Sequence, residues 1–440
     1  MNTLKKLLQS AGRMFKRLFV PEKNIRNILE EEALASPGKL IAKKFFRNKL
    51  AISGMIGFIL MLVFTFGLSL FIPLDLVHTS TFHANLAPNF SYLNFPGALE
   101  REGVDMIDSG VAFSIGLSKE GNVFVWGSNV DGVEEIPEEV RNANIVFVSA
   151  GTRHLIAIDD EGKFYFWGKN HMSQASIDER YVDDFESDPI VSLEGGYDKT
   201  IAITESGSVY VWGVGTNIFG QPLLWSPYQY FDESDNQIKA VQAVANNTNL
   251  AILLENGQVR VEGTNNALRK DIPAGIKDGS IVVTQIAITL DNIFAVDATG
   301  NLHVWGSKSL GLMDVYNNQN ELVRFIPEGA STNIKELQTG YEHAVVLTND
   351  GKVYAWGPSG YNQLDVPSTE DVDAIFINAY QNYLLVDGKL QAWGLKGFLL
   401  GTDESGRDFI VQLIHGGKVT MTVGAVAVII QVVIGTVVGL

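Results

Sequence analysis

The chain has no cysteine among its 440 residues. That excludes disulfides and thiolate metal sites and leaves the redox compartment unmarked. Its seven histidines are scattered without ligand spacing, so no metal site is read from them. A phosphate-binding loop is missing too. Gly213-Val214-Gly215 followed by Gly220 has neither the lysine nor the strand–helix setting that cradling phosphates requires. No feature points to a hydrolase, so the chain is read as a non-enzyme with no catalytic residue and no cofactor. Basic residues are scarce beyond the start. Residues 1–50 hold 12 of the 33 Lys/Arg against four acidic residues, which leaves 21 Lys/Arg against 46 Asp/Glu beyond Leu50. An acidic body lacks the Lys/Arg patches that phosphate contacts need, which makes nucleic acid a poor partner.

Two long uncharged runs stand out. Ala51 to Ile72 reads AISGMIGFILMLVFTFGLSLFI, about the length that crosses a bilayer as a helix. It is too long and starts too late for a cleaved signal peptide. Lys43, Lys44, Arg47 and Lys49 crowd its start, so the positive-inside rule predicts a cytoplasmic residue 1–50 segment and an exported body. Residues 1–20 interleave Leu/Phe with Lys/Arg, which suits either a helix along the membrane face or an ordinary solvated helix. The second run, Met421 to Leu440, is rich in Gly and Val, as in a packed membrane helix. It runs off the end of the sequence without a polar flank, so a truncated chain is expected.

Between these runs the sequence repeats. A glycine followed five positions later by Trp-Gly occurs at Gly121-Trp126, Gly162-Trp167, Gly207-Trp212, Gly300-Trp305, Gly351-Trp356 and Gly388-Trp393. A seventh copy, Gly257-Glu262-Gly263, keeps the glycines and loses the aromatic ring. Six of the seven tryptophans occupy this slot; only Trp225 does not. The period of roughly 40 to 50 residues is that of a propeller blade. In each copy two alternating runs flank a turn whose glycine supplies positive φ. A third run precedes them, as in Ile145 to Gly151, and a short stretch ending in proline is read as an outermost fourth strand. Ser91 to Pro96 comes before the first copy. It is therefore expected to complete the last blade, with Tyr92–Phe95 hydrogen-bonded beside Lys389–Trp393.

The pattern of Ala150-Gly151-Thr152-Arg153-His154, Gly340-Tyr341-Glu342-His343, and Gly220-Gln221 after Trp212 resembles the regulator of chromosome condensation repeat over about residues 91–397. The resemblance implies a closed propeller used for binding. That family includes a nuclear nucleotide-exchange factor and a bacterial secreted inhibitor, and no residue here supports exchange activity.

The flanks resemble a second family, the C-type permease subunit of oligopeptide and dipeptide ABC importers. The likeness rests on Phe45 to Ala51, on His83-Ala84-Asn85-Leu86-Ala87-Pro88, and above all on Leu400-Gly401-Thr402-Asp403-Glu404-Ser405-Gly406-Arg407-Asp408. Lys418 stands where that family carries arginine. The resemblance implies a partner permease subunit, ATPase subunits, a solute-binding protein and membrane lipid as partners. Gly401 and Gly406 bracket a turn, and Asp403, Arg407 and Asp408 are expected to pin the loop; capping of an amphipathic helix from Asp408 to Lys418 is compatible with that.

Among remaining candidates, His154 and His343 are read as packed residues. The acidic stretches Asp183–Asp188 and Asp232–Asp235 are read as solvated loops rather than calcium sites. Trp225, Tyr228 and Tyr230 form the candidate contact surface, since aromatics anchor interfaces. The expected fold is mainly β, a seven-bladed β-propeller inserted between two transmembrane α-helices. Its segments are a cytoplasmic 1–50, a helix 51–72, an external loop 73–90, the propeller 91–397, a loop and amphipathic helix 398–418, and a second helix 419–440. The expected function is a membrane component of a bacterial ABC peptide importer, in the cell membrane, whose extracytoplasmic propeller binds an unknown ligand. The alternative is a membrane-tethered propeller acting as receptor, inhibitor or interaction module without transport.

Overall fold

The computed structural model describes residues 37–72, 74, 83–129, 131–171, 173–177, 181–196, 199–213 and 227–439. The basic 1–20 segment lies outside them. The chain divides into two compact units, one of His78–Phe409 and one of Met1–Val77 with Ile410–Leu440.

The first unit is a mainly-β, propeller-like domain. Its described residues hold seven three-stranded antiparallel sheets, each built from consecutive strands in inner, middle and outer order. Sheet 1 is Val104–Ser109, Phe113–Ser118 and Val123–Gly127; sheet 2 is Ile145–Ala150, His154–Asp159 and Phe164–Gly168. Sheet 3 is Ile190–Gly195, Thr200–Thr204 and Val209–Trp212; sheet 4 is Ala240–Ala245, Asn249–Leu254 and Val259–Gly263. Sheets 5, 6 and 7 begin at Val283, Ile334 and Ala374 and end at Gly306, Trp356 and Gly394. The middle strands read as near-continuous apolar runs because both their faces are covered; every residue of Phe113–Ser118 is buried.

Both glycines of each repeat have positive φ. Gly162, in the hairpin turn, sits at φ 81° with open space around the site of a Cβ. Gly263, after the outer strand, sits at φ 138°, where a Cβ would lie 2.2 Å from the Thr248 carbonyl oxygen. Gly162 is needed for its conformation, Gly263 also for a close backbone approach, and Gly207 combines both, a Cβ there lying 2.3 Å from Lys239 Cα.

The tryptophan slot joins each sheet to the one before it. The indole N–H donates to a carbonyl of the connection leading into its own sheet: Trp167 to Val133 (2.9 Å), Trp212 to Ser176 (2.7 Å), Trp305 to Leu268 (2.8 Å), Trp356 to Leu312 (3.1 Å) and Trp393 to Gln363 (2.7 Å). Sheet 1 has no sheet before it in the chain. There Trp126 donates to the Tyr383 hydroxyl of sheet 7 (2.9 Å), which also bonds Ser114 (2.9 Å). Leu99, Val104, Ile107 and Trp126 share one core with Tyr383 and Leu390, so the last sheet packs on the first.

A second set of hydrogen bonds runs around the inner ends of the sheets. Val111 N–H donates to Thr152, Thr152 to Gly196, Leu290 to Tyr341 and Tyr341 to Ala379. Side chains supply the other three steps: Lys199 Nζ to Asn246 O (3.0 Å), Asn246 Nδ2 to Thr289 O (2.9 Å) and Gln381 Nε2 to Val111 O (3.0 Å). Each sheet is thus bonded to the next, and the seventh to the first.

Two details differ from the sequence reading. At four places the outermost position holds a short helical turn rather than a fourth strand, while beside sheet 3 Tyr228 pairs with Val209 of the outer strand. Pro96, Pro137 and Pro273 precede the helices Gly97–Glu102, Glu138–Asn142 and Ala274–Asp278, and Pro327 precedes the 3-10 turn Glu328–Ala330. Proline suits that place because its missing N–H would have no partner inside the helix. The incoming chain also meets the outgoing chain just beyond the expected strand. Asn89 N–H bonds Phe398 O (3.0 Å) and Tyr92 N–H bonds Lys396 O (2.7 Å), while Glu100 Oε1 accepts from Leu390 N (3.1 Å).

The second unit holds two helical stretches long and apolar enough to cross a membrane, Lys49–Gly67 and Phe409–Gly439. Asn48 caps the first, its side chain accepting from Leu50 and Ala51 N–H. This stretch ends as a π-helical turn, Val63–Gly67. The second is one continuous helix of 31 residues, with no break between the expected 398–418 and 419–440 segments. Its hydroxyls are satisfied within the helix: Thr420 donates to Gly416 O, Thr422 to Lys418 O and Thr436 to Val432 O. The two helices meet at Gly417, where a Cβ would lie 2.6 Å from Thr65 Cγ2. A small residue permits that approach. Thr65 Oγ1 also reaches Met421 Sδ (3.4 Å), and the His415 ring lies 2.8 Å from Ile72 O.

Candidate functional site

A cavity of about 140 Å³ opens where the seven inner strands end, lined by every sheet in turn. Its walls carry Asp108, Ser109, Thr152, Asn246, Thr289 and Thr339. The hydroxyls of Thr152 and Tyr341, in the turns between inner and middle strands of sheets 2 and 6, lie 3.3 Å apart across it. Asp108 is fully engaged: Oδ2 accepts from Ala150 N (2.7 Å) and Ser149 Oγ (2.9 Å) of the next sheet, and Oδ1 from Ser109 N (2.7 Å). The Asn378 amide, turned to satisfy both groups, donates to Oδ1 from sheet 7 (2.6 Å). Burial pushes the Asp108 carboxyl above the ordinary aspartate range.

Similar side chains bridge other sheets. Ser149 Oγ accepts from Gly195 N. The Gln242 amide bonds both Ile286 N and O, and Gln285 bonds Leu337 N and Lys335 O. Gln338 bonds Ile377 N and Ile375 O. Sheet 3 differs. Glu194 takes the register position of Asp108, opposite Ile201 as Asp108 is opposite Ile115. It is partly buried, and burial followed by the Asp108 charge pushes its carboxyl up to about 7. These bridging residues went unread in the sequence. The one signal for them is a polar residue inside an otherwise apolar strand, and its position varies between the third and fifth residue.

The repeat residues Gly121, Gly162, Gly207, Gly257, Gly300, Gly351 and Gly388 lie in the hairpin turns, with Trp126, Trp167, Trp212, Trp305, Trp356 and Trp393 in the outer strands. They are spread around the ring and form no single site. Glu262 in sheet 4 is partly buried, and Tyr230 Oη reaches its Oε1 (3.4 Å). It therefore does the tryptophan's work as an acceptor. Tyr228 and Tyr230 pack on the core between sheets 3 and 4. Burial, with the Glu262 charge adding, pushes the Tyr228 hydroxyl up to about 12 and raises that of Tyr230. Trp225 lies outside the described residues. His154 and His343 are buried, each packed over a glycine three residues earlier, and burial lowers His343 to about 4.

The Gly401–Asp408 loop is built as a clasp. Arg407 pairs with Asp403 Oδ2 through Nη2 (2.7 Å) and Nε (2.8 Å), and Asp403 Oδ1 accepts from Arg407 N and Ser405 N. Gly401 and Gly406 take φ values of 76° and 75°. Thr402 bonds the His83 carbonyl and Leu86 N–H, while Asn85 N–H donates to Asp403 O. Asp408 bridges back to Thr402. Lys418 lies apart from this loop, inside the long helix.

Two family descriptions match. Residues 334–363 match the regulator of chromosome condensation (RCC1) repeat, and residues 36–88 match the N-terminal TM domain of oligopeptide transport permease C. Among curated relatives, the RCC1 domain-containing protein RUG3, mitochondrial, of Arabidopsis thaliana is 23% identical over 71% of this chain and 71% of its own. The di/tripeptide transport system permease protein DppC of Pseudomonas aeruginosa is 38% identical over 61 residues, 14% of this chain and 20% of its own. Among solved structures, human WBSCR16 is 17% identical over 67% of this chain and 87% of its own, with a TM-score of 0.49. Prp20p from Saccharomyces cerevisiae, described with its binding properties to Gsp1p and histones, is 15% identical over 76% of this chain and 98% of its own, with a TM-score of 0.49.

These matches correct the sequence reading. The curated relative that runs the length of the ring is an RCC1 domain-containing protein, and the matched permease description is confined to residues 36–88, before the ring. The identification as a permease subunit is therefore withdrawn. With it go the bacterial source and the cell-membrane placement with a cytoplasmic start and an extracytoplasmic propeller. The transporter partner set of permease, ATPase subunits, solute-binding protein and extracellular ligand falls as well, since it rested on that identification. The error has a physical source. The Leu400–Asp408 motif that carried most of the likeness here joins the ring's incoming and outgoing chain.

Proposed function

We propose that the chain is an interaction module, a seven-bladed β-propeller that binds a macromolecular partner and associates with a lipid bilayer through its two apolar helices. It acts by binding rather than by catalysis. The observation that carries this reading is the use of the ring's interior. Asp108, Gln242, Gln285, Gln338, Lys199 and Gln381 are spent on sheet-to-sheet hydrogen bonds, which leaves the connections and strand ends as the surface free to vary. Binding Gsp1p and histones, as Prp20p is described to do, is the same kind of task. The apolar helices support bilayer association. At about 1.5 Å per residue the shorter stretch is close to the ~30 Å hydrocarbon thickness.

The test is flotation of the full chain with phosphatidylcholine vesicles, together with cross-linking in its native cells. Co-flotation resistant to alkaline carbonate, and reproducible cross-links from the ring to another macromolecule, are expected. A chain recovered in the soluble fraction, or a ring that cross-links only to itself, contradicts the reading.

A further inference from the structure

One irregularity recurs at the same place in six of the seven sheets. The register of inner on middle strand slips after the first residue: between Val104 and Met106, Ile145 and Phe147, Ile190 and Ser192, Ala240 and Gln242, Val283 and Gln285, and Ile334 and Glu336. The residues in the slips are Asp105, Val146, Val191, Val241, Thr284 and Lys335, and all six are exposed. A bulged residue leaves the ladder and its side chain is re-aimed. Repeated around the ring, the bulges present one side chain per sheet at the end where the inner strands begin.

Three consecutive bulges carry valine, and these are 49%, 61% and 54% exposed. The fold does not require an aliphatic residue there, since Asp105, Thr284 and Lys335 fill the same position in other sheets. Between sheets 3 and 4 the valines deepen into a groove of about 430 Å³, with Val191, Val241, Ile203 and Ala240 on its apolar side and Glu205 and Lys239 beside them.

The same end of the ring carries the turns between middle and outer strands. Asp160 N–H bonds Asn144 O, Glu205 N–H bonds Pro189 O and Glu255 N–H bonds Lys239 O, each just before an inner strand begins. Glu120, Asp160, Glu161, Glu205 and Glu255 are exposed on these turns, and the nearby Lys163 is taken by Glu139 (3.1 Å). Lys119 and Lys239 are exposed there too, so over sheets 1 to 4 the rim of this apolar arc carries more carboxylates than ammonium groups.

Resting on the reading of the ring as an interaction module, we propose that this arc is its docking surface and that it takes a polypeptide segment with aliphatic side chains set between Lys or Arg residues. An aliphatic side chain fills the groove on Val191 and Val241. The flanking cations pair with Glu205, Glu255 and the Asp160–Glu161 turn, which fixes register and makes the association salt-sensitive.

The experiment uses the full chain in phosphatidylcholine nanodiscs, with empty discs as blank and two fluorescein-labelled probes, alternating Lys-Leu and alternating Glu-Leu dodecapeptides. The Lys-Leu probe is expected to bind and the Glu-Leu probe to fail. Val191→Ser with Val241→Ser should weaken binding at least about tenfold, as loss of a central apolar anchor does. Glu205→Lys with Glu255→Lys should weaken it comparably and remove its salt dependence. Tyr316→Ser with Leu322→Ser, on the separate Val315–Tyr316 and Leu322–Val323 hairpin, should leave it within about twofold. Equal binding of both probes, no binding of the Lys-Leu probe, or valine and glutamate variants that bind as the wild type overturn the proposal. If the valine variant still cross-links its native partner at wild-type yield, the docking surface is refuted and the module stands. If the wild-type ring has no cross-linked partner, the module itself fails.

Discussion

Trp305 and Glu262 hold the same slot in neighbouring sheets and solve the same problem with opposite polarity. Trp305 donates its indole N–H to Leu268 O, whereas Glu262 accepts from the Tyr230 hydroxyl. Trp305→Phe keeps most of the apolar contact and loses the bond. It should lower unfolding stability by about 1 kcal/mol beyond the lost ring area, with the Leu268 carbonyl left buried. Chemical denaturation checks this, and an unchanged midpoint would show the bond to be idle. Two titrating groups set a second expectation. Glu194 is raised to about 7, so the folded state holds its proton longer than the unfolded state does. Its contribution is present below about pH 4.5 and is lost as pH rises through 7, by up to about 3 kcal/mol before its partial exposure reduces this. His343 is lowered to about 4, so the unfolded state takes the proton first and stability falls as pH drops from about 6.5 toward 4. Between these limits the two slopes oppose each other. Glu194→Gln should therefore be more stable than the wild type at pH 8, and should lose more stability than the wild type does between pH 7 and 5. Thermal melts across that range test the sign.

At the scale of the element, the hairpin was legible because each repeat carries two glycines, both of positive φ. Gly162→Ala meets only the positive φ and should cost about 1 kcal/mol, whereas Gly263→Ala adds a Cβ 2.2 Å from the Thr248 carbonyl and should cost several times more. Equal losses in denaturant titrations would remove that distinction. The third strand of each repeat was legible from its apolar alternation. The outer position was not. A proline after a short polar stretch fits an edge strand and the residue before a short helix equally well, and the choice is made by packing of Leu99, Val140 and Ile276 beneath the helices. The bulges were illegible for a related reason. A bulge adds one residue without breaking the apolar pattern enough to be seen, and Val146, Val191 and Val241 read as ordinary strand residues.

At the scale of the molecule, closure depends on a junction that no chain connection supports. Tyr383 Oη gathers Trp126 and Ser114, and Gln381 reaches Val111, so sheets 7 and 1 are held by side chains from both. Tyr383→Phe should strand the Trp126 N–H, lower stability by about 1–3 kcal/mol and expose sheet 1 first to limited proteolysis; cleavage that begins elsewhere would count against this junction as the weak one. The seven sheets of the propeller-like domain were legible from seven glycine pairs. The identity of the flanks was not, because the Gly401–Asp408 motif also makes a good clasp for His83 to Asn89 and the motif cannot say which task is in force. The measurement closest to the central claim is lysine-directed cross-linking of the full chain in its native cells. Lys119, Lys163, Lys239 and Lys335 stand at the bulged end of the ring, and Lys169, Lys308 and Lys396 follow the outer strands at the opposite end. The account predicts that cross-links to a partner concentrate on the first group. Cross-links confined to the second group, or none beyond the chain itself, would contradict it.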